Sequence, residues 1–475
     1  MSARRFPKLA IAAAAALALV GCAAPNMQAA IAEANELASP VSGGAKADLQ
    51  RDDSQREAAA KLSAELLAEP LTMDGAVQVA IANSPAFQAE LARSWGEISA
   101  ARQRGLPGGV LFSFGRLREG PDLEIGRLLS FGLFDLITLP QRQAVSRVAS
   151  EQARVRMAGA VIDQASGSRQ AWVRAVAARE VEVYAVQVKE AAEASAELAR
   201  RLQVVGNFTK LQAARQHLFY ADATSRLARA RQATVSTRED LVRQLGLTDA
   251  QAASLKLPDR LPELPKAPKE AGEVSRQLGG QRLDARLARL ELEAAGRSRG
   301  VDLASSLVDV ELGVRRDTRF EGNGDRSGKR GFELDIRLPL FDWGATRRAS
   351  LDARSLAAAN RYEAVSRAAT SQARESYAAY RTAFDLARHQ RDEVVPLRKT
   401  ISEENVLRYN GMQIGVFELL ADAREQVSGV IAAIEAQRDF WLADAGLSST
   451  LIGRPSMGAP IQATSAGAPP AAAAH

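Results

Sequence analysis

Cysteine, histidine and aromatic residues are all scarce in this chain, and each scarcity removes a class of function. Cys22 is the single cysteine among 475 residues, so no disulfide and no thiolate-rich metal site can form within one chain. The three histidines, His217, His389 and His475, lack the spacing of a metal-ligand set. There is no G-x-S-x-G, P-loop or dinucleotide fingerprint. "EGNGDRSGKRG" (321–331) lacks the acidic spacing and closing Glu of a calcium loop and reads as a hairpin turn. The six methionines do not cluster, so nothing selects a soft metal. The chain is therefore expected to be no enzyme and to hold no cofactor and no metal. Aromatics are 5% of the residues, and much of the 46% hydrophobic fraction is Ala; Ala with Arg, Glu, Gln and Leu builds long packed helices rather than a large globular core. The formal charge of +6 is a poor argument for nucleic acid, because acidic residues are interleaved with the basic ones, and no nucleic acid partner is expected.

What is present begins with "MSARRFPKLAIAAAAALALVGCAAP". Arg4, Arg5 and Lys8 form a positive start and residues 9–20 a short apolar run, which is a secretory signal too short to span a membrane. Those three cations supply half of the formal charge. Leu19-Val20-Gly21-Cys22 resembles a bacterial lipobox, which implies cleavage before Cys22 and lipidation of its thiol. Ala23 after the cysteine implies outer-membrane sorting.

Beyond the leader, residues 22–70 form an N-terminal segment with a short helix near 54–68. From Leu71, "LTMDGAVQVAIANSPAFQAELARSWGEISAARQRG" reads as two helical pieces broken at Pro85. Two strands follow, "GVLFSFGRL" (109–117) and "LEIGRLLSFGLF" (123–134). A helix then runs without a breaker from Pro140 to Val204, about 95 Å at 1.5 Å per residue. Gly206-Asn207 interrupts it, and a second helix runs back to Gly246. A linker at 248–281 carries Pro258, Pro262, Pro265 and Pro268, a density no helix or central strand survives. After it the order repeats: "RLARLELEAAGRSRG", two strands, a helix from Ala345 to Tyr409, a break at "NGMQIG", and a helix to Gly446. The expected organisation is a signal peptide (1–21), the anchored segment (22–70), a first repeat (71–247), the linker (248–281), a second repeat (282–453) and a low-complexity tail (454–475).

The strands are the least expected feature of so helical a sequence. In "FELDIRLPLFDWG" (332–344), Phe332, Leu334, Ile336, Leu338 and Leu340 alternate with Glu333, Asp335, Arg337 and Pro339. In "LVDVELGVRR" (307–316), Val308, Val310, Leu312 and Val314 alternate with Asp309, Glu311, Gly313 and Arg315. One face is too charged for a core and the other too continuously apolar for water. A transmembrane barrel wall suits both, with lipid outside and water within, and the lengths fit the ~9–11 residues needed to cross a bilayer. Phe112, Phe114, Phe320, Phe332, Phe341 and Trp343 are placed as interfacial aromatics.

Four segments in order, "PLTMDGAVQVAIANSP", "LPLFDWG", "VVGNFTKLQAAR" (204–215) and "RYNGMQIGVFELLADAREQ" (408–426), resemble the bacterial outer membrane efflux proteins of the TolC type. The resemblance covers about 70–450. It implies a mainly α fold with internal duplication, in which long antiparallel helical hairpins form a periplasmic α-barrel. Each protomer of a homotrimer would add four strands to a 12-stranded transmembrane β-barrel in outer-membrane lipid. It also implies a passive exit duct for small molecules or metal ions, partnered by a periplasmic adaptor and an inner-membrane pump. In such proteins the helix breaks form the periplasmic tip, placing Gly206, Asn207, Thr209, Gly411 and Gly415 in its turns, with Gly206 and Gly411 permitting the reversal. The family often closes the tip with a Leu-Asp-Ala-Gln-Arg pattern. Here Leu420-Ala421-Asp422-Ala423-Arg424 keeps the Arg and displaces the acid by one, about 100° around the helix. Glu418, Asp422 and Arg424 are the gate candidates. Two other readings stay open: a type I secretion duct of the same fold, and a non-channel periplasmic coiled-coil scaffold.

Overall fold

Four strands join edge to edge in the order β1-β2-β3-β4, each antiparallel to the next. They are β1 (Leu111–Glu119), β2 (Asp122–Gly132), β3 (Asp309–Phe320) and β4 (Arg326–Arg337). The central β2–β3 ladder pairs a strand from each half of the sequence, with Leu129 opposite Val314. Gly120, with φ +58°, closes the first hairpin. The computed structural model describes residues 26–272, 274, 282–307, 309–321, 324–337 and 345–455. Cys22, Leu338, Leu340, Phe341, Trp343 and the tail beyond 455 lie outside the described residues.

The helices are α1 (Met27–Ser42), α2 (Asp53–Ala68), α3 (Met73–Asn83), α4 (Pro85–Arg104), α5 (Leu133–Ile137), α6 (Leu139–Val204), α7 (Lys210–Leu245), α8 (Asp249–Ser254), α9 (Leu283–Leu307), α10 (Ala345–His389), α11 (Val395–Asn410) and α12 (Val416–Leu451). The 66 residues of α6 make a rod about 99 Å long. The expected order, helix, two strands and two long helices, occurs twice. Several details differ from the sequence reading. The segment 326–331, expected in the hairpin turn, is the first half of β4, and the 248–281 linker opens with the short helix α8 ahead of its first proline. Residues 27–42 are helical where only a polar segment was expected, and Leu133–Ile137 turn into helix at the end of β2. The expected unbroken helix from Ala345 contains a π turn, Gln390–Val394, just ahead of Pro396. Proline has no N–H to give the carbonyl four residues back, and its ring crowds that carbonyl, so the helix widens by one residue there.

The chain forms two compact units. The first, residues 91–157 and 285–366 with the segment up to Ala34, holds the sheet. In it Arg286 reaches Glu33 at 3.4 Å and Glu151 at 2.7 Å, while Arg154 meets Glu33 at 3.2 Å, a network that ties α1, α6 and α9 together.

The second unit, residues 35–90, 158–284 and 367 onward, holds two apolar cores. In one, Trp172 of α6 is 1% exposed among Leu71, Val79, Leu241 and Leu245, and its indole N–H donates to the Leu71 carbonyl at 2.7 Å. Gly246 ends α7 at φ +66°, and a side chain there would meet the backbone of Ser84 at 2.6 Å. Asn83 closes this contact by donating to the Gly246 carbonyl at 2.8 Å. In the other core Tyr380, Phe384 and Phe440 pack with Leu447 and Leu451. The proline-rich linker, free of helix from Leu255 to Lys269, lies along these cores as a strap. Leu261 and Leu264 are buried, the Pro262 carbonyl accepts from Gln437 and Trp441, and Lys269 pairs with Asp444 at 2.6 Å.

Candidate functional site: a two-faced sheet and two helix breaks

Side chains alternate across a strand, so the register sorts the sheet into two faces. On one face Phe112, Leu129, Val314 and Phe332 form a continuous row across all four strands. Phe131, Leu312 and Leu334 form the next row, and Val310 with Ile336 the one after. Phe112, Val314 and Phe332 are 61%, 60% and 82% exposed, which water alone does not reward at about 25 cal/mol per Å² of apolar area. The other face carries Asp122, Glu124, Glu311, Asp317, Glu333 and Asp335 among glycine and serine. Some of its charges are paired: Arg315 with Asp317 at 2.8 Å and with Glu333 at 3.8 Å, and Arg319 with Asp122 at 2.9 Å. Phe112, Phe114 and Phe332 thus share the apolar face, as an aromatic belt requires.

Sequence reading missed the other occupants of that apolar face. Towards the hairpin ends its apolar rows give way to arginine: Arg127, Arg316 and Arg330 stand opposite one another beside Phe114. Arg116, Arg118 and Arg326 follow on the same face. The signal was available, since each shares its strand's parity with the apolar residues.

In the second unit both helix breaks have one geometry. At the first, the N–H of Gly206 donates to Gln203 O and that of Asn207 to Leu202 O, with Gly206 at φ +80°. This is a Schellman closure, which satisfies the last carbonyls of the helix. Thr209 then caps α7, its hydroxyl accepting from the Gln212 N–H while Gln212 reaches back to the Thr209 N–H. At the second break Met412 N–H donates to Tyr409 O and Gln413 N–H to Arg408 O. The left-handed residue there is Met412, at φ +59°; Gly411 has φ −79°. The expectation that Gly411 permits the reversal is therefore corrected: the closure needs its left-handed residue one position later. Gly415 is the N-cap of α12, without a side chain to cap with.

The three gate candidates lie in the first turns of α12, Glu418 and Asp422 one turn apart on one face of the helix. Glu418 is exposed. Asp422 is half-buried, and its Oδ2 is buried with no hydrogen-bond partner. Arg424 is committed to α7, its guanidinium 4.6 Å from the centre of the Phe219 ring and donating to the Arg215 carbonyl at 3.4 Å. Among the described residues no group of three or more His, Cys, Asp or Glu is placed to hold a metal ion. No described helix is long and apolar enough to cross a membrane.

Two strands followed by two long helices, the order occurring twice with all four strands in one sheet, is the fold of TolC-like outer membrane channels. Residues 274–402 match the family described as Outer membrane efflux protein. No curated protein matches it. Among solved structures it is similar to the Campylobacter jejuni CmeC outer membrane channel, with TM-score 0.67 and 13% identity over 89% of this chain and 92% of that one. The outer membrane protein VceC from Vibrio cholerae gives 0.66 and 16%, over 81% and 97%. The open state of the Neisseria gonorrhoeae MtrE outer membrane channel gives 0.61 and 18%, over 80% and 89%. Neither the family nor these neighbours are enzymes.

Proposed function

We propose that the protein is the outer-membrane exit duct of a tripartite efflux system. Three copies would close their four-stranded sheets into one 12-stranded barrel, apolar face to lipid and ion-paired face to an aqueous lumen. The observation that carries this is the sorting of the sheet: an exposed apolar face backed by a face that carries all the acidic residues of the described strands, several of them ion-paired. A scaffold in the periplasm would have no use for such an uncovered face. The repeats 71–247 and 282–453, joined by the 248–281 strap, would supply the helical hairpins of a periplasmic tunnel. Its tip, at the paired breaks, would meet an adaptor protein and an inner-membrane pump, and Glu418 and Asp422 would narrow it. Cys22 would hold the N-terminus to the membrane through lipid. Small molecules or metal ions are the cargo this reading favours.

The test is the mass of the purified protein in detergent together with its conductance in a planar bilayer. A trimer giving small discrete steps is the expected result. A protein that fractionates as a soluble monomer when made with its leader would overturn the reading.

A further inference from the structure

We propose that the hairpin-end region of the apolar face is a docking surface for phosphate-bearing lipid headgroups of the outer leaflet. The proposal rests on the membrane reading above. Its basis is an unusual segregation of charge. Arg116, Arg118, Arg127, Arg316, Arg326 and Arg330 all fall on the apolar face of the sheet, and no Asp or Glu of the described strands does. On the opposite face Arg315 and Arg319 are paired with carboxylates. None of the six has a carboxylate partner among the described residues; Arg326 instead lies over the Phe320 ring at 5.4 Å.

Arg127, Arg316 and Arg330 are direct neighbours on three adjacent strands. Directly opposed side chains in an antiparallel pair have Cβ atoms about 4.5–5.5 Å apart, and like charges there repel. Three such guanidinium groups in one row weaken the sheet unless an anion bridges them. Guanidinium forks bind phosphate oxygens bidentately. The row lies one register step beyond Phe112, Leu129, Val314 and Phe332, and past it the face mixes Arg116, Arg118 and Arg326 with Ile125, Leu123 and Phe320. A lipid lying against the sheet would therefore place acyl chains on the apolar rows and its phosphate at the arginines. The stems of those side chains can lie along the apolar surface while their heads reach the headgroup layer. A free phosphate would use the cations alone, and the adjoining apolar rows argue for the lipid.

The experiment is native mass spectrometry of the full-length protein in detergent, titrated with bisphosphorylated lipid A, with the same lipid stripped of phosphate, and with inorganic phosphate. The expected result is about a tenfold preference for the phosphorylated lipid, the scale of one or two charge-assisted contacts. R127Q/R316Q/R330Q should abolish that preference, and K329Q, on the opposite face, should leave it intact. Equal binding of the two lipids would overturn the proposal, leaving a face that takes acyl chains alone. Inorganic phosphate competing fully at the lipid's own concentration would overturn it in favour of a free-anion site. Bilayer conductance of the wild type and the triple variant separates the two readings. Channels that conduct without a lipid preference refute the headgroup surface alone, whereas absence of any channel refutes the membrane reading and this proposal with it.

Discussion

Met412 repeats at the second helix break the backbone geometry of Gly206 at the first, with both residues left-handed and both hydrogen-bonded three residues back. The match extends outward. Thr209 and Gly415 are the N-caps of the returning helices, and the buried Leu241 and Leu245 of α7 correspond to Leu447 and Leu451 of α12. Each pair is separated by 206 positions, so the duplication persists in hydrogen bonds and core positions where the letters have diverged.

A methionine at φ +59° carries a left-handed penalty of about 1 kcal/mol that glycine does not. Met412→Gly should therefore slow amide exchange at the end of α11, and Gly206→Ala should speed it at the end of α6. Hydrogen exchange of the intact protein reads both. Faster exchange in Met412→Gly would show that side-chain packing, not backbone geometry, holds the second turn.

Trp172→Phe keeps the buried ring but leaves the Leu71 carbonyl without its donor. The expected loss is about 1–3 kcal/mol, the cost of an unsatisfied buried acceptor. Trp172→Ala should cost about 3–5 kcal/mol through the cavity it leaves. Denaturant unfolding checks the order of the two.

Glu180 accepts a long hydrogen bond from the Leu261 N–H at 3.4 Å, and burial beneath the strap raises its pKa above 4.5. The folded protein thus favours the protonated form. This group's contribution is fully present below its ordinary pKa and is lost as pH rises through the raised folded value. Glu180→Gln keeps an acceptor and removes the charge, so it should stabilise the protein at neutral pH and flatten the decline above pH 4.5. Melting temperatures across pH 4–8 would show it; an unchanged profile would mean the strap does not desolvate the carboxylate.

Spin labels divide the two faces of the sheet. Labels at Val314 and Phe332 should be quenched by lipid-dissolved reagents, and labels at Gly313 and Glu333 by aqueous ones. Val314→Arg should impair assembly by about 2–4 kcal/mol if the position lies near the bilayer midplane. Protein-protected labels at Val314 and Phe332 would favour the scaffold.

At the tip, Asp422→Asn and Glu418→Gln should each raise single-channel conductance, with Asp422→Asn the larger because its Oδ2 is buried without a partner. Arg424→Ala should loosen α12 from α7 by removing the stacking on Phe219. Unchanged conductance in both acid variants would place the constriction elsewhere.

The long helices and all four strands were legible because period and length are local properties: α6 begins one residue from where Pro140 predicted and ends at Val204. The four-strand order was not readable from periodicity, since pairing β2 with β3 joins residues nearly two hundred positions apart. The π turn was overlooked because Pro396 sits inside strong helical text and costs the helix a widening rather than a stop. Met412 was missed for a related reason: the adjacent Gly411 satisfied the expectation of glycine at a helix end. The arginine rows share the parity of the apolar residues, Arg316 lying two residues from Val314, and a period of two does not mark where along a strand the chemistry of one face changes. Strand polarity was read correctly, and the variation along the apolar face was not.

The sheet ends at β1 on one side and β4 on the other, each bonded to a single neighbour. Among the described residues those two edges carry backbone donors and acceptors with no further strand to pair with, and water-free lipid cannot complete them. On the proposed membrane reading, entry into the bilayer then becomes a meeting problem. One copy has no finished wall to insert, and its rate of maturation should rise steeply with the number of copies present. Dilution, more than any single substitution, would be the surest way to strand it on the wrong side of the membrane.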